Sequence, residues 1–245
     1  MKKRTKRIII GFALVAVLIC AALAGLLVKL HQEMGSMSPL ATGEIIPGVY
    51  AVKDDYVNFF LLKGTDGFIA IDAGNSPGVA REEMQRLSID PQKVAAVFLT
   101  HSDQDHVAAL ELFANAAIYL SKDEEQMVNG KTPRFIVIHN KKVPKYNLLG
   151  DNQVIEVSGL KVAAIAVPGH TPGSMCYIVN DTSLFTGDTM SLKNGRADIF
   201  NEFFNMDTKT ERDSIRKLAA PQGLKYVFTA HHGYSEAGKA FSNYD

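Results

Sequence analysis

The sequence predicts an α+β chain, with sheets covered by helices on their outer faces and one membrane segment before them. Three observations carry this. Short apolar runs of strand length come in pairs joined by turn residues. Helical patterns fall between those runs at intervals. The chain opens on an apolar run, residues 8–28, that carries no charge. Its 245 residues allow one sizeable domain or two small ones. The apolar share of 47% and charged share of 21% exclude a largely disordered protein.

The elements follow in order. MKKRTKR, residues 1–7, is a basic segment. IIIGFALVAVLICAALAGLLV, residues 8–28, would cross the ~30 Å bilayer core at ~1.5 Å rise per residue. It is longer than the ~7–15-residue core of a signal peptide, which favours an uncleaved anchor. A cleaved signal with Ala22-Leu23-Ala24 as its cut site is the alternative. Cations ahead of the span stay in the cytoplasm, so both readings place residue 29 onward outside. The expected location is the cell membrane, single-pass with the folded domain extracytoplasmic, or secretion after cleavage. Residues 29–43 read as a linker and 44–245 as the folded domain.

Val57–Leu62 and Phe68–Ile71 flank Gly64-Thr65-Asp66-Gly67 and read as a hairpin. Ser76–Leu87 reads as a helix with Pro77 in its first turn. Val94–Leu99 is a buried strand, Val107–Phe113 helical, and Ala117–Leu120 a strand. Ser121 and Glu124 form a capping-box pattern opening a short helix. Residues 130–150 are basic, with Lys131, Arg134, Lys141, Lys142 and Lys145. They read as a solvated loop with one or two edge strands, in preference to a lid over substrate. Strands resume at Val154–Val157, Lys161–Val167, Met175–Val179 and Ser183–Phe185. Asp207–Leu218 is a helix and Tyr226–Phe228 a last strand.

Charge and cysteine content narrow the function classes. Lys plus Arg equals Asp plus Glu at 26 each, so no strongly basic nucleic-acid binder is expected. Two cysteines, Cys20 and Cys176, exclude a disulfide scaffold and a cysteine-cluster zinc site. The histidines matter more. VAAVFLT runs into His101-Ser-Asp103-Gln-Asp105-His106, and VAAIAV into Pro168-Gly-His170. SLFT runs into Gly187-Asp188, and KYVFTA into His231-His232-Gly233. Each strand thus ends in a metal-capable side chain, where a rigid sheet can converge several on one point. So many polar groups would be costly to bury without an ion. Imidazole with carboxylate suits zinc, iron or manganese. His31 and His139 have no partner motif.

These motifs resemble the metallo-β-lactamase superfamily over nearly all of residues 43–240. His101-x-Asp103-x-Asp105-His106 is similar to its HxHxDH element, and the Pro168–Ser174 stretch to its second histidine loop. Phe185–Thr189 is similar to its GD loop, Thr229-Ala230-His231 to its last histidine, and Ile71–Gly74 to its early DxG. The resemblance implies a four-layer αβ/βα sandwich with metals at one edge. It implies two divalent ions, the first on His101, Asp103 and His170, the second on Asp105, His106 and His231, with Asp188 bridging. Asp103 stands where the family has histidine. It would ligate directly, ligate through water or leave the first site weak. Two divalent ions against three carboxylates leave one positive charge, which a bridging hydroxide neutralises. His231 fits the thioesterase-like register, with His232 as the alternative ligand.

The implied activity is metal-dependent hydrolysis of a small ester-like substrate by a bridging hydroxide, with Asp105 orienting it and moving a proton. Asp188 points to thioester, lactone or phosphodiester branches and away from a true β-lactamase. Zinc leads, with iron or manganese as alternatives. Two rival readings stay open. A diiron oxidoreductase draws support from Asp103, and a non-catalytic metal-binding module would use the ions for structure.

Overall fold

The computed structural model describes residues 2–143, 145–219 and 221–244. Side chains of residues 1–8 lie outside the described set, and with them the expected basic segment. The chain divides into two compact units, the first ending at Met37 and the second starting at Ser38.

The first unit is one helix, α1 (Lys2–Gly35). From Ile9 to Gly35 it is long and apolar enough to cross a membrane, and that stretch is not buried in the protein. Between residues 9 and 28 it presents apolar side chains all round, with no polar face of the kind a surface helix carries. The helix runs on past residue 28, so the first part of the expected linker is helical.

The second unit begins with an antiparallel meander of β1 (Gly43–Ile46), β2 (Val49–Asp54), β3 (Val57–Lys63) and β4 (Phe68–Ile71). The expected Gly64–Gly67 turn joins the last two. Helix α2 (Pro77–Arg86) follows, its first turn set by Pro77 and by the Ser76 hydroxyl, which accepts from the Val79 N–H. It leads to β5 (Val94–Phe98), parallel to β4. Helix α3 (Gln104–Val107) leads to β6 (Ala117–Ser121), and α4 (Glu125–Val128) leads to the edge strand β7 (Asn147–Leu149). The seven strands lie in sequence order in one mixed sheet.

The second sheet holds β8 (Val154–Val157), β9 (Leu160–Ala166), β10 (Met175–Val179) and β11 (Ser183–Phe185). A separate hairpin, β12 (Met190–Lys193) and β13 (Arg196–Ile199), follows. Then come α5 (Thr208–Ala219), β14 (Tyr226–Phe228), β15 (Tyr234–Glu236) and α6 (Ala237–Ala240). The sheet order is β15-β14-β11-β10-β9-β8, with β14 parallel to β11.

Strand alternation builds the layers. On β3, Phe60 and Leu62 face the other sheet, while Phe59 and Leu61 face α2 and its surroundings. On β10, Met175, Tyr177 and Val179 face the first sheet, while Cys176 and Ile178 face the α5 side. Three apolar layers therefore stack, with helices outside and two sheets between, as a four-layer αβ/βα sandwich requires.

Tyr226–Phe228 is not the last strand, since β15 follows it, and three further expectations change. Val107–Phe113 is not one helix: α3 stops at Val107 and a single 3-10 turn covers Leu110–Leu112. The His106 carbonyl accepts from the Ala73 N–H at 2.8 Å, so it is taken before a further helical turn can use it. Glu124 does not close a capping box; its carboxylate goes elsewhere, as described below. Nor is the 130–150 stretch wholly solvated, since Arg134 is buried.

Candidate metal centre

Loops at one edge of the sandwich carry the chemistry. His101 follows β5, His170 follows β9, Asp188 follows β11 and His231 follows β14. Asp103, Asp105 and His106 come from the start of α3. Asp103 occupies the N-cap position of that helix, yet its side chain makes no capping bond and is left for the site.

All four imidazoles are held in the same sense. His106 donates from Nδ1 to Asp72 Oδ2 at 2.9 Å. His231 donates from Nδ1 to the Tyr56 carbonyl at 2.7 Å. Thr100 Oγ1 gives its proton to Asp72 Oδ2, so at 3.0 Å it accepts from His101 Nδ1. His170 Nδ1 donates to Asn205 Oδ1 at 3.1 Å, and the Asn205 amide donates to Glu211. Every Nδ1–H is thus engaged outward, which leaves Nε2 of His101, His106 and His231 facing the interior unpartnered, while Nε2 of His170 meets Arg134 Nη2.

The inner atoms converge. Asp188 Oδ1 lies 3.3 Å from His106 Nε2 and 3.1 Å from His231 Nε2. Asp188 Oδ2 lies 3.5 Å from His170 Nε2 and 3.9 Å from His101 Nε2. Asp105 Oδ2 lies 3.5 Å from His231 Nε2 and 3.8 Å from His106 Nε2. Asp103 Oδ2 lies 3.2 Å from His170 Nε2 and 3.6 Å from His101 Nε2. A tetrahedral shell with ~2.0–2.2 Å bonds has donor–donor edges of roughly 3.3–3.6 Å. The Nε2 atoms of His101, His106 and His231 and Oδ1 of Asp188 are buried with no hydrogen-bond partner. Buried polar atoms left so, at such spacing, fit a divalent ion. Three groups each bring one ligand atom per residue within 4.8 Å of one another: His101 with Asp103 and His170; His101 with His106 and Asp188; and Asp105 with His106 and His231. His232 belongs to none of these groups; its backbone N–H binds Thr229 Oγ1 and its ring meets Phe200 edge-on.

Electrostatics agree with a cation-seeking pocket. Burial alone would raise Asp188, but His231 and His106 hold it well below the usual carboxylate range. Burial would likewise raise Asp103, but the neighbouring His101 and His170 and the charge of Arg134 hold it well below that range. Burial works to lower His106 and His231, yet the Asp188 charge raises both, His106 well above its ordinary value. His170 is lowered by burial.

Sequence patterns missed several residues that shape this site. Arg134 places Nε 2.8 Å from both Asp103 oxygens, and its Nη2 donates to His170 Nε2 at 3.1 Å and the Phe204 carbonyl at 2.7 Å. Asn140 adds a 3.0 Å bond to Asp103. Glu124 accepts from Ser102 N–H and Oγ–H and from Thr171 Oγ–H, tying two ligand loops together. Phe200 stacks on His231 at 5.2 Å and meets His170 edge-on at 5.4 Å, walling one side. Within the sequence only the basic character of residues 131–145 hinted at Arg134.

A family model described as the metallo-beta-lactamase superfamily matches residues 52–231. A probable polyketide biosynthesis zinc-dependent hydrolase of Bacillus velezensis is 30% identical over 125 residues, covering 50% of this chain and 49% of that protein. A hydroxyacylglutathione hydrolase of Serratia proteamaculans is 32% identical over 141 residues, covering 57% of this chain and 49% of its own. The chain thus spans about half the length of these curated relatives. Among solved structures, a metallo-beta-lactamase of Cronobacter sakazakii with a HARLDQ motif superposes with a TM-score of 0.65 at 23% identity, covering 81% of this chain and 76% of that one. That likeness shows the fold.

Proposed function

The chain belongs to the metallo-β-lactamase superfamily, and from that premise we propose that it is a metal-dependent hydrolase with a dinuclear centre acting on a small ester-like substrate. The observation that carries this is Asp188, whose two oxygens face two different imidazole pairs. His101, Asp103 and His170 would hold one ion, and Asp105, His106 and His231 the other, with Asp188 shared. Zinc is the preferred metal, as relatives are named zinc-dependent hydrolases. Asp103 adds a hard donor that also suits iron or manganese.

Divalent metal held by these residues would supply a hydroxide nucleophile near neutral pH and would polarise the substrate oxygen. The protein's own groups do the rest. The Asp105 carboxylate, partly open to solvent, accepts a proton at the mouth of the site. Arg134 offsets the charge of Asp103, the anion in the place of the family's histidine. Phe200 keeps one wall apolar and limits water. A thioester or lactone is preferred over a phosphodiester. Relatives named hydroxyacylglutathione hydrolase support this, since hydroxyacylglutathione is a thioester. A basic segment before the apolar helix favours a centre outside the cytoplasm.

The deciding experiment counts zinc, iron and manganese per chain in the purified full chain and in Asp103→Ala, and assays a panel of thioesters, lactones and phosphodiesters. Two zincs, one lost in Asp103→Ala, with thioester or lactone turnover abolished in Asp105→Ala and His106→Ala, is the expected result. Full activity in either variant would sink the mechanism. Two irons with oxygen or nitric-oxide consumption would replace it with the diiron reading that Asp103 favours. No bound metal would leave neither.

A further inference from the structure

Four consecutive apolar residues stand in solvent at one loop tip. Phe135 is 42% exposed, Ile136 94%, Val137 80% and Ile138 62%. Outside α1, no other described large apolar side chain exceeds 47%. The tip is held as a narrow turn, with Phe135 and Ile138 bridged and the Arg134 N–H donating to the Ile138 carbonyl at 2.7 Å. Ile136 sits at φ 36°, in the left-handed region where glycine or asparagine is the ordinary residue. A β-branched side chain there serves neither the core nor the backbone.

The flanks are cationic. Lys131, Lys141, Lys142 and Lys145 lie in the same loop, all exposed. None of them joins an ion pair among the described residues. An apolar wedge in one loop with several exposed lysines is the chemistry that enters an interface between anionic headgroups and acyl chains.

We propose that the 135–138 tip docks on an anionic lipid bilayer, with its apolar side chains at the headgroup boundary and the four lysines against lipid phosphates. A projecting tip fits a deformable lipid surface better than a rigid pocket. A bilayer is also the partner this chain is built to meet, because α1 is long and apolar enough to cross one. Arg134, directly before the tip, reaches Asp103 and His170. Docking therefore sets lipid one residue from the candidate centre. The inference stands on exposure and charge and does not use the hydrolase reading.

The chain contains no tryptophan, so a single introduced one is a clean reporter. The full chain would carry Val137→Trp or Ile136→Trp at the tip, Leu18→Trp in α1, or Val154→Trp as a control on β8. Each is reconstituted in phosphatidylcholine–phosphatidylglycerol bilayers with or without bromine on the acyl chains. The tip reporters are expected to shift to the blue and lose roughly half their emission to brominated lipid. That loss should fall in pure phosphatidylcholine and on Lys141→Glu with Lys142→Glu, while Val154→Trp stays unquenched. Solvent-like tip emission, with Leu18→Trp quenched, would overturn the proposal. So would a tip shielded without lipid quenching in a manner that depends on protein concentration, which would assign the patch to a second copy. An unquenched Leu18→Trp would speak against the span alone, and the tip reporters would still be read with added vesicles.

Discussion

Asp103 and Arg134 make one unit, and their energetics explain how an anion is kept in a half-buried candidate ligand position. Arg134 is almost fully buried and its Nε spans both carboxylate oxygens. Removing one member of such a pair strands the other charge, at a cost of about 3–5 kcal/mol. Arg134→Met should therefore destabilise the chelated protein by that order in urea titration, and adding Asp103→Asn should recover part of the loss. A change within about 0.5 kcal/mol would show the pair is not coupled to folding. Glu211 offers a second test. Burial pushes its carboxyl up to about 9, so it is neutral in the folded protein near neutral pH. The folded state then keeps a proton that the unfolded chain releases, and stability falls as pH rises from about 4.5 to about 9. Glu211→Gln should flatten that fall, measured as melting temperature against pH. A parallel fall in the variant would assign the slope to other groups.

Between residue and molecule, one side chain at the start of α4 ties two of the candidate ligand loops together. Glu124, at the start of α4, binds the loop after β5 through Ser102 and the loop after β9 through Thr171. Gly173 makes this approach possible, since a Cβ there would lie 2.0 Å from the Glu124 amide nitrogen. Gly173→Ala must push the His170 loop away from α4. It should weaken metal binding about tenfold or more, by the sensitivity of outer-shell supports, with the fold retained by circular dichroism. Unchanged metal affinity would show that the loop relaxes elsewhere. The same contacts explain what the sequence could convey. The strand ends were legible because each apolar run stops at a ligand-type residue, as in VAAVFLT before His101. The placing of Phe59 and Phe60 on opposite faces of β3 follows from strand alternation alone. Glu124 and Arg134 were not legible, because their partners lie 22 and 31 residues away and no local period marks them. The Ser121-x-x-Glu124 pattern suggested a cap because only its local geometry shows in sequence. Val107–Phe113 suggested one helix because composition cannot show that Ala73 occupies the His106 carbonyl.

For the whole molecule, the decisive term is the solvent around α1. Its Ile9–Gly35 stretch would be about 40 Å long as a helix, more than the ~30 Å of a bilayer core. Water would face Phe12, Leu18 and Leu27 on every side, since none packs into protein. Lipid removes that cost, and the helix satisfies its own backbone bonds there. The full chain should remain with membranes on alkaline extraction. Leu18→Arg, costing about 2.5–3.5 kcal/mol of insertion at a helix centre, should shift it measurably into the soluble fraction. If the cations before the apolar helix keep its start in the cytoplasm, protease added outside intact cells should remove the unit that begins at Ser38. Protection of that unit in intact cells would reverse the orientation. The mass of the mature chain separates the two outward-facing outcomes. A membrane-bound chain that still carries MKKRTKR is anchored, whereas a released chain beginning near residue 25 has lost a signal sequence.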